Sequence, residues 1–242
     1  MSRILLRGLL LVGVLALGQD PSSSPPALSS PSERVLLETK STLPCLANYH
    51  EFNSSAIKVT LPDVQQPDEF SCGAASLMSI LAYYGAGPED YDVLKKKLGT
   101  TQKNGTDYHH MIRFAGEHSL QADAKAEMTL AQLEKCLDEC KPVICSIQAY
   151  AENIPAEKRP EVYKKDDNGH YLVAVGYDDD NVYFMDPSLT GRRGFLPKPE
   201  FEARWHDNEG TTEQPKLISH LGLIIWKPAG TAAYPRFARR ID

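Results

Sequence analysis

The residues with the clearest chemical potential lie between Val64 and Gly85, where one cysteine precedes an apolar run. Cys72 follows a polar segment and is followed by Gly73 and two alanines, and the apolar run stops at Gly85. This pattern predicts a helix that begins at Cys72. A thiol in the first helical turn faces unpaired backbone N–H groups and the positive end of the helix dipole, which stabilise a thiolate. Cys72 is therefore a candidate nucleophile for attack on a carbonyl carbon.

Gln66 lies upstream of this cysteine in the polar segment. A side-chain amide at that position can donate a hydrogen bond to an oxyanion that forms beside the cysteine sulfur. Gln66 is therefore a candidate oxyanion-hole residue.

A base for the thiol is predicted at His170, which opens a β-rich run that ends at Tyr177. An acidic turn follows, and a second β-rich run leads to Asp186 and Pro187. Two such runs around a short polar turn are typical of a β-hairpin. The pattern therefore predicts that His170 and Asp186 lie at the same end of two paired strands.

The hairpin register decides whether these two side chains meet, because side chains alternate between the faces of a strand. A regular loop with an even number of residues would place them on opposite faces. A three-residue loop at Asp178 to Asp180 instead pairs Tyr177 with Asn181 and makes His170 and Asp186 diagonal neighbours on one face. We therefore predict the three-residue loop.

These motifs together resemble those of the bacteriocin-processing, double-glycine leader cysteine peptidases and their standalone relatives, which are papain-like. The resemblance covers roughly residues 61–226. It implies that Cys72 is the nucleophile, His170 the general base and acid, and Asp186 the group that orients the imidazole. The spacing typical of the family implies Gln66, rather than Gln65, as the oxyanion-hole donor.

The resemblance also implies an α+β fold of papain-like type. An N-terminal helical part would carry the nucleophile helix, a C-terminal antiparallel sheet would carry the base, and the substrate cleft would lie between them. We assign this peptidase domain to residues 57–228 and a C-terminal tail to residues 229–242.

Composition limits the classes of partner. The chain has 242 residues, 42% of them hydrophobic, which is enough for one domain with a sizeable core. Its net charge of −6 gives no indication of nucleic-acid binding. The sequence calls for no cofactor and no metal, and the expected partner is a peptide or protein substrate.

The N-terminus has the form of a secretory signal peptide over residues 1–18. Arg3 and Arg7 precede an apolar run, and Ala16-Leu17-Gly18 is a small-x-small cleavage site before Gln19. We expect a secreted or periplasmic protein with no stable membrane span after signal removal; the alternative is an uncleaved anchor. Residues 19–56 contain a Pro/Ser-rich linker and an N-terminal extension.

Export to an oxidising compartment favours disulfide bonds, and an odd number of cysteines leaves at least one thiol outside an intramolecular disulfide. The five cysteines are Cys45, Cys72, Cys136, Cys140 and Cys145, of which Cys72 is the natural unpaired one. Disulfides among the others and plain packing of small side chains both stay open.

Other polar residues are weaker candidates. His206 and Asp207 lie in a polar stretch that we predict to be exposed and to contain no strand. Without a strand to hold His206 beside Cys72, we do not expect it to be the base. His109 and His110 are adjacent and would point in different directions on a helix, which favours a surface pair over a metal site. Residues 150–168 form a long loop that suits either a flap over the cleft or a surface insertion.

Two other functions compete with peptide hydrolysis. One is a noncatalytic peptide-binding module, and the other is a papain-like amidase or transglutaminase. The sequence contains no phosphate-binding loop and no membrane bundle beyond the resembling region, so we expect a standalone exported enzyme rather than a transporter-borne one.

Overall fold

The structure is a computed structural model that describes residues 54–228, except 89, 190 and 212. Its helices are α1 (Cys72–Tyr84), α2 (Tyr91–Lys97), α3 (Tyr108–Glu117), α4 (Leu130–Asp138), α5 (Arg159–Tyr163) and α6 (Lys198–Arg204). Its strands are β1 (Gln121–Lys125), β2 (Val143–Gln148), β3 (Gly169–Tyr177), β4 (Asn181–Met185), β5 (Gly194–Pro197), β6 (His206–Thr211), β7 (Gln214–Ser219) and β8 (Gly222–Trp226). Single 3-10 turns cover Ser54–Ala56 and Ala156–Lys158.

Within the described residues, one six-stranded antiparallel sheet organises the molecule. Its strand order is β1-β8-β2-β3-β4-β5, and β6 and β7 form a separate hairpin. Strands β2, β3 and β4 lie at its centre and are almost entirely buried, because their side chains are apolar on both faces. This helical part followed by an antiparallel sheet confirms the predicted α+β fold.

Helix α1 is the element around which the helical part packs. It begins at Cys72, as predicted, and ends at Tyr84, where the capping residue Gly85 has a φ of 61° in the left-handed region that glycine tolerates. Nearly every side chain of α1 is buried, which fits its continuous apolar and small-residue sequence. The helix packs against β3, the strand that contains the predicted base near its start.

The β3–β4 hairpin differs from the prediction in its pairing beside the turn but not in its register near the site. Residues 178–180 separate the two strands, as predicted, but Tyr177 pairs with Val182 rather than with Asn181, so the predicted pairing at the turn is wrong. A β-bulge between Ala174 and Gly176 then shifts the register by one residue. Beyond the bulge, toward His170, the pairing is the one that the three-residue loop would have given.

The bulge is stabilised by the segment that follows the Ser54–Ala56 turn. The carbonyl of Val175 accepts hydrogen bonds from the backbone N–H groups of Lys58 and Val59, both at 2.9 Å. The chain passes so close that a Cβ on Gly176 would lie 2.1 Å from the carbonyl oxygen of Ala56. The bulge therefore needs glycine at this position.

One further element differs from the sequence-based expectation. Strand β6 contains His206 and Asp207, so the expectation of an exposed stretch without a strand is wrong.

The predicted signal peptide, most of the predicted linker and the predicted tail lie outside the described residues. None of the helices described has the length and apolar character needed to cross a membrane.

Candidate active site

Cys72 is the first residue of α1, and its side chain is 9% exposed. The preceding residue, Ser71, forms no side-chain cap on this helix, so the N–H groups of the first turn keep their donor capacity. Gly73 allows close packing here, because a Cβ at that position would lie 2.8 Å from Cβ of Thr106. The sulfur therefore lies at the positive end of a buried helix.

The backbone of Tyr171 fixes Cys72 relative to β3. Its N–H donates to Sγ of Cys72 at 3.4 Å, and its carbonyl accepts from the hydroxyl of Ser76 at 3.2 Å. Both contacts reach from the first turn and a half of α1 to one residue of the strand. Because Tyr171 follows His170 directly, these contacts also bring the sulfur beside the imidazole.

His170 and Asp186 lie together, as the register beyond the bulge requires. Nε2 of His170 is 2.8 Å from Oδ1 of Asp186, and His170 is only 2% exposed. Oδ1 of Asp186 also accepts from the backbone N–H of Ser188 at 2.9 Å and from its hydroxyl at 2.7 Å. The carboxylate is thus held in place by three donors.

The charges of this pair support each other. Burial acts to lower the pKa of His170, but hydrogen bonds to Asp186 and Cys72 outweigh it and raise the pKa to about 10. Burial acts to raise the pKa of Asp186, but the hydrogen bonds from His170 and Ser188 hold it below its ordinary value. The site therefore favours an imidazolium that faces a carboxylate.

Gln66 lies on the segment that borders this pair. Its backbone N–H donates to the carbonyl of Pro187 at 3.0 Å, which ties the segment to the residue after Asp186. Its side-chain Nε2 donates to the carbonyl of Asp68 at 2.8 Å. A hydrogen bond also links the Gln66 side chain to the hydroxyl of Tyr150, so its amide lies beside the groups that surround His170.

Tyr150 is a site residue that the sequence did not reveal. Its hydroxyl lies 2.7 Å from Nδ1 of His170, and its ring meets the imidazole edge to face. Burial raises the pKa of the Tyr150 hydroxyl, so it stays neutral, whereas the ring is 42% exposed. Tyr150 has a φ of 59°, a strained conformation for this residue type. Its position at the start of the loop after β2 was the one available signal.

The remaining histidines and cysteines have other contacts. Nδ1 of His206 lies 2.7 Å from Oδ1 of Asp166, so this histidine pairs with a loop carboxylate. Cys136, Cys140 and Cys145 are free thiols in the structure, and Cys45 lies outside the described residues. Among the described residues, no group of three or more His, Cys, Asp and Glu side chains has an arrangement that could hold a metal ion.

The fold places a buried cysteine at the start of a central helix, against a histidine on an antiparallel sheet, and this architecture defines a papain-like cysteine peptidase. Residues 59–213 match the family model described as the Peptidase_C39 like family. The chain belongs to this family and is a cysteine peptidase.

The relatives are similar over the same region. The chain is 29% identical over 143 residues to the transport/processing ATP-binding protein ComA of Streptococcus pneumoniae, and the aligned region covers 58% of this chain and 17% of ComA. It is 27% identical over 142 residues to the pediocin PA-1 transport/processing ATP-binding protein PedD of Pediococcus acidilactici, and that aligned region covers 58% of this chain and 17% of PedD. The chain thus spans less than a fifth of these relatives.

A solved structure shares the fold. A C39-like peptidase from Bacillus anthracis superposes with a TM-score of 0.53 at 19% identity, over 74% of this chain and 100% of that one.

Proposed function

We propose that the protein hydrolyses peptide bonds with Cys72 as nucleophile, His170 as general base and acid, and Asp186 as the orienting carboxylate. The observation that carries this proposal is the contact of Tyr171 N–H with the Cys72 sulfur, since it aligns the thiol with the adjacent histidine. The short distance from His170 to Asp186 supports the same assignment.

The reaction follows from these positions. His170 takes the thiol proton, and the Cys72 sulfur forms a bond to the substrate carbonyl carbon. The oxyanion that develops is stabilised by backbone N–H groups of the first turn of α1 and by the side-chain amide of Gln66. His170 then gives its proton to the departing amine, and water hydrolyses the thioester to regenerate Cys72.

The experiment is digestion of a mixture of acetylated, amidated peptides by the full chain, with new termini mapped by mass spectrometry. We expect new free carboxyl termini that are absent with Cys72→Ala and with His170→Ala. Asp178→Asn, at the far end of the same hairpin, is the control and should keep the cleavage. Cleavage that persists in Cys72→Ala would contradict the proposal, and amine adducts in place of free carboxylates would indicate acyl transfer instead.

We also propose that residues 1–18 direct the protein out of the cytoplasm and are removed before Gln19. The arginines followed by a short apolar run support this proposal. Expression of the full chain in a bacterium, followed by fractionation and N-terminal peptide mapping, tests it. We expect an exported form that begins at Gln19, and retention of Leu11→Arg in the cytoplasm. An intact N-terminus on all of the protein would contradict removal.

A further inference from the structure

An acidic cleft of about 490 Å³ lies directly beside the candidate nucleophile, and Cys72 and Tyr171 form part of its wall. The carboxylates among its lining residues are Glu69, Asp166, Asp167, Asp207 and Glu209. Within the described lining, Lys103 is the one lysine or arginine, and its ammonium group pairs with Glu213. The cleft therefore has a negative wall at the place where a substrate has to bind.

Glu209 is the most buried of these carboxylates, with 6% of its surface exposed. The hydroxyl of Tyr171 donates to Oε2, whereas Oε1 is buried and has no hydrogen-bond partner among the described residues. Ser146 interacts with both Glu209 and Asp207, and its hydroxyl donates to Oδ2 of Asp207 at 3.4 Å. A buried oxygen without a full donor of its own is unfavourable, so a ligand that supplies one would stabilise this wall.

Asp207 lies on the same face as Glu209, because the two residues are separated by one position on β6. Nε2 of Gln148 donates to Oδ1 of Asp207 at 2.9 Å and fixes the carboxylate. The carboxylate lies against Gly169, where a Cβ would be 1.9 Å from Oδ2. The glycine before His170 thus leaves space for a negative group beside the catalytic strand.

We propose that this cleft binds a cationic side chain of the peptide substrate, arginine in preference to lysine, with Glu209 and Asp207 as its anionic end. A guanidinium presents several N–H groups in a planar fork and can donate to Glu209 Oε1 and to Asp207 together. Because Cys72 forms part of the wall, the bound residue lies within about two positions of the scissile bond. This inference rests on the proposed peptidase function and adds the substrate class.

The ionisation of the two carboxyls supports the assignment. Burial raises the pKa of Glu209 to about 7 and that of Asp207 to about 6, so both carboxyls hold protons readily while no cation is bound. The ionisable groups around them on neighbouring elements are Tyr171, Asp107, Asp166 and, opposite Glu209 on β7, Lys216. A bound cation favours the ionised carboxylates, so its binding strengthens as the pH rises from 5 to 8.

The test compares peptides that differ only in one side chain near the cleaved bond. Citrulline has the shape of arginine without its charge, and norleucine has a similar length to lysine without its charge. We expect kcat/KM at pH 8 to be about 30-fold higher for arginine than for citrulline, as for hydrogen bonds to charged groups. We expect this ratio to fall toward 1 at pH 5. Equal rates at pH 8, or cleavage only at sites without a nearby cation, would overturn the proposal.

Variants assign the effect to the cleft. Glu209→Gln keeps the shape and should reduce the arginine-to-citrulline ratio to about 3-fold or less, and Asp207→Asn should reduce it partially. Glu117→Gln, an exposed carboxylate on α3 outside the cleft, should leave the ratio unchanged. A ratio unaffected by both cleft substitutions would overturn the assignment. The pH dependence in the unsubstituted protein decides the question if a variant fails to fold.

A binding measurement separates this inference from the peptidase function. If no peptide is cleaved, the proposed function fails, and the cleft is then tested with the full chain carrying Cys72→Ala. Calorimetry should show an acetylated arginine peptide amide binding about 10-fold or more tightly than its citrulline counterpart. Equal affinities would overturn the cleft proposal on its own.

Discussion

The hydroxyl of Tyr150 lies 2.7 Å from Nδ1 of His170, while Nε2 of the same ring faces Asp186 at 2.8 Å. Nδ1 is therefore the nitrogen left to exchange a proton with Cys72, and Tyr150 competes for it. The hydroxyl can donate to Nδ1 when the ring is neutral and accept from it when the ring is charged. In both states the hydroxyl competes with the sulfur for Nδ1.

Removal of this hydroxyl should therefore activate the thiol. We expect Tyr150→Phe to increase the rate of iodoacetamide alkylation of Cys72 at pH 6 by roughly fivefold, the effect of one hydrogen bond worth about 1 kcal/mol. Tyr163→Phe, which removes a hydroxyl at the end of α5, is the control and should have no effect. An unchanged or slower rate in Tyr150→Phe would show that the contact supports the ion pair instead.

Replacement of Asp186 by asparagine should change the pH profile as well as the rate. Asparagine still accepts a hydrogen bond from Nε2 but removes the charge that raises the pKa of His170. The alkaline limit of kcat/KM should therefore move to lower pH, and kcat/KM at pH 8 should fall about 10-fold or more. Asp178→Asn at the hairpin turn should leave the pH limits in place. An unshifted alkaline limit in Asp186→Asn would show that this carboxylate does not raise the pKa of His170.

The bulge in β3 makes a prediction about stability. A Cβ on Gly176 would lie 2.1 Å from a backbone oxygen, which cannot move away as a flexible side chain would. We expect Gly176→Ala to lower the free energy of unfolding by roughly 2–4 kcal/mol in urea titrations. Gly116→Ala, where a new Cβ meets no atom within 4 Å, should change it by no more than about 1 kcal/mol. Similar effects of the two substitutions would indicate that the bulge is not fixed by this contact.

The same bulge shows where sequence reasoning succeeds and where it stops. The apolar run after Cys72 and the β-rich runs at His170 and Asp186 predicted the elements that hold these residues, because burial dictates such patterns. The pairing beside the turn was predicted wrongly, because the bulge is stabilised by hydrogen bonds from Lys58 and Val59, which are distant in sequence. The shared face of His170 and Asp186 was right because the extra residue of the bulge compensates for the shifted pairing at the turn.

Polar residues were the least predictable part of the site. Asp207 and Glu209 lie in a strand without apolar alternation; Glu209 is buried and Asp207 half-buried because Tyr171 and Gln148 meet them from the sheet. Tyr150 likewise reaches His170 only through a left-handed backbone conformation. Such positions depend on tertiary contacts rather than on local pattern, so a single sequence offers little signal for them.

Glu209 should make stability depend on pH in a way that glutamine cannot. Its folded-state pKa of about 7 is above the ordinary value of 4.5, so between pH 4.5 and about 7 the folded protein binds more protons than the unfolded chain. The stability that the proton contributes is present below about pH 4.5 and is lost as the pH rises through about 7, up to about 3 kcal/mol. Urea titrations at pH 4.5 and 8 should therefore show Glu209→Gln gaining stability relative to the unsubstituted protein at the higher pH.

Glu117→Gln is the control for this comparison, since that side chain is exposed. It should shift stability equally at the two pH values. A pH-independent difference between Glu209→Gln and the unsubstituted protein would show that Glu209 stays ionised throughout.

The central claim is that Cys72 and His170 share a proton in the folded protein. The most direct test is iodoacetamide alkylation of the full chain at about pH 6, read by peptide mapping, since an ordinary thiol reacts readily only near or above about pH 8. We predict rapid alkylation of Cys72 at pH 6 and a loss of about 10-fold or more in His170→Ala. Alkylation of Cys72 only at alkaline pH, with the same profile in His170→Ala, would contradict the thiolate–imidazolium pair.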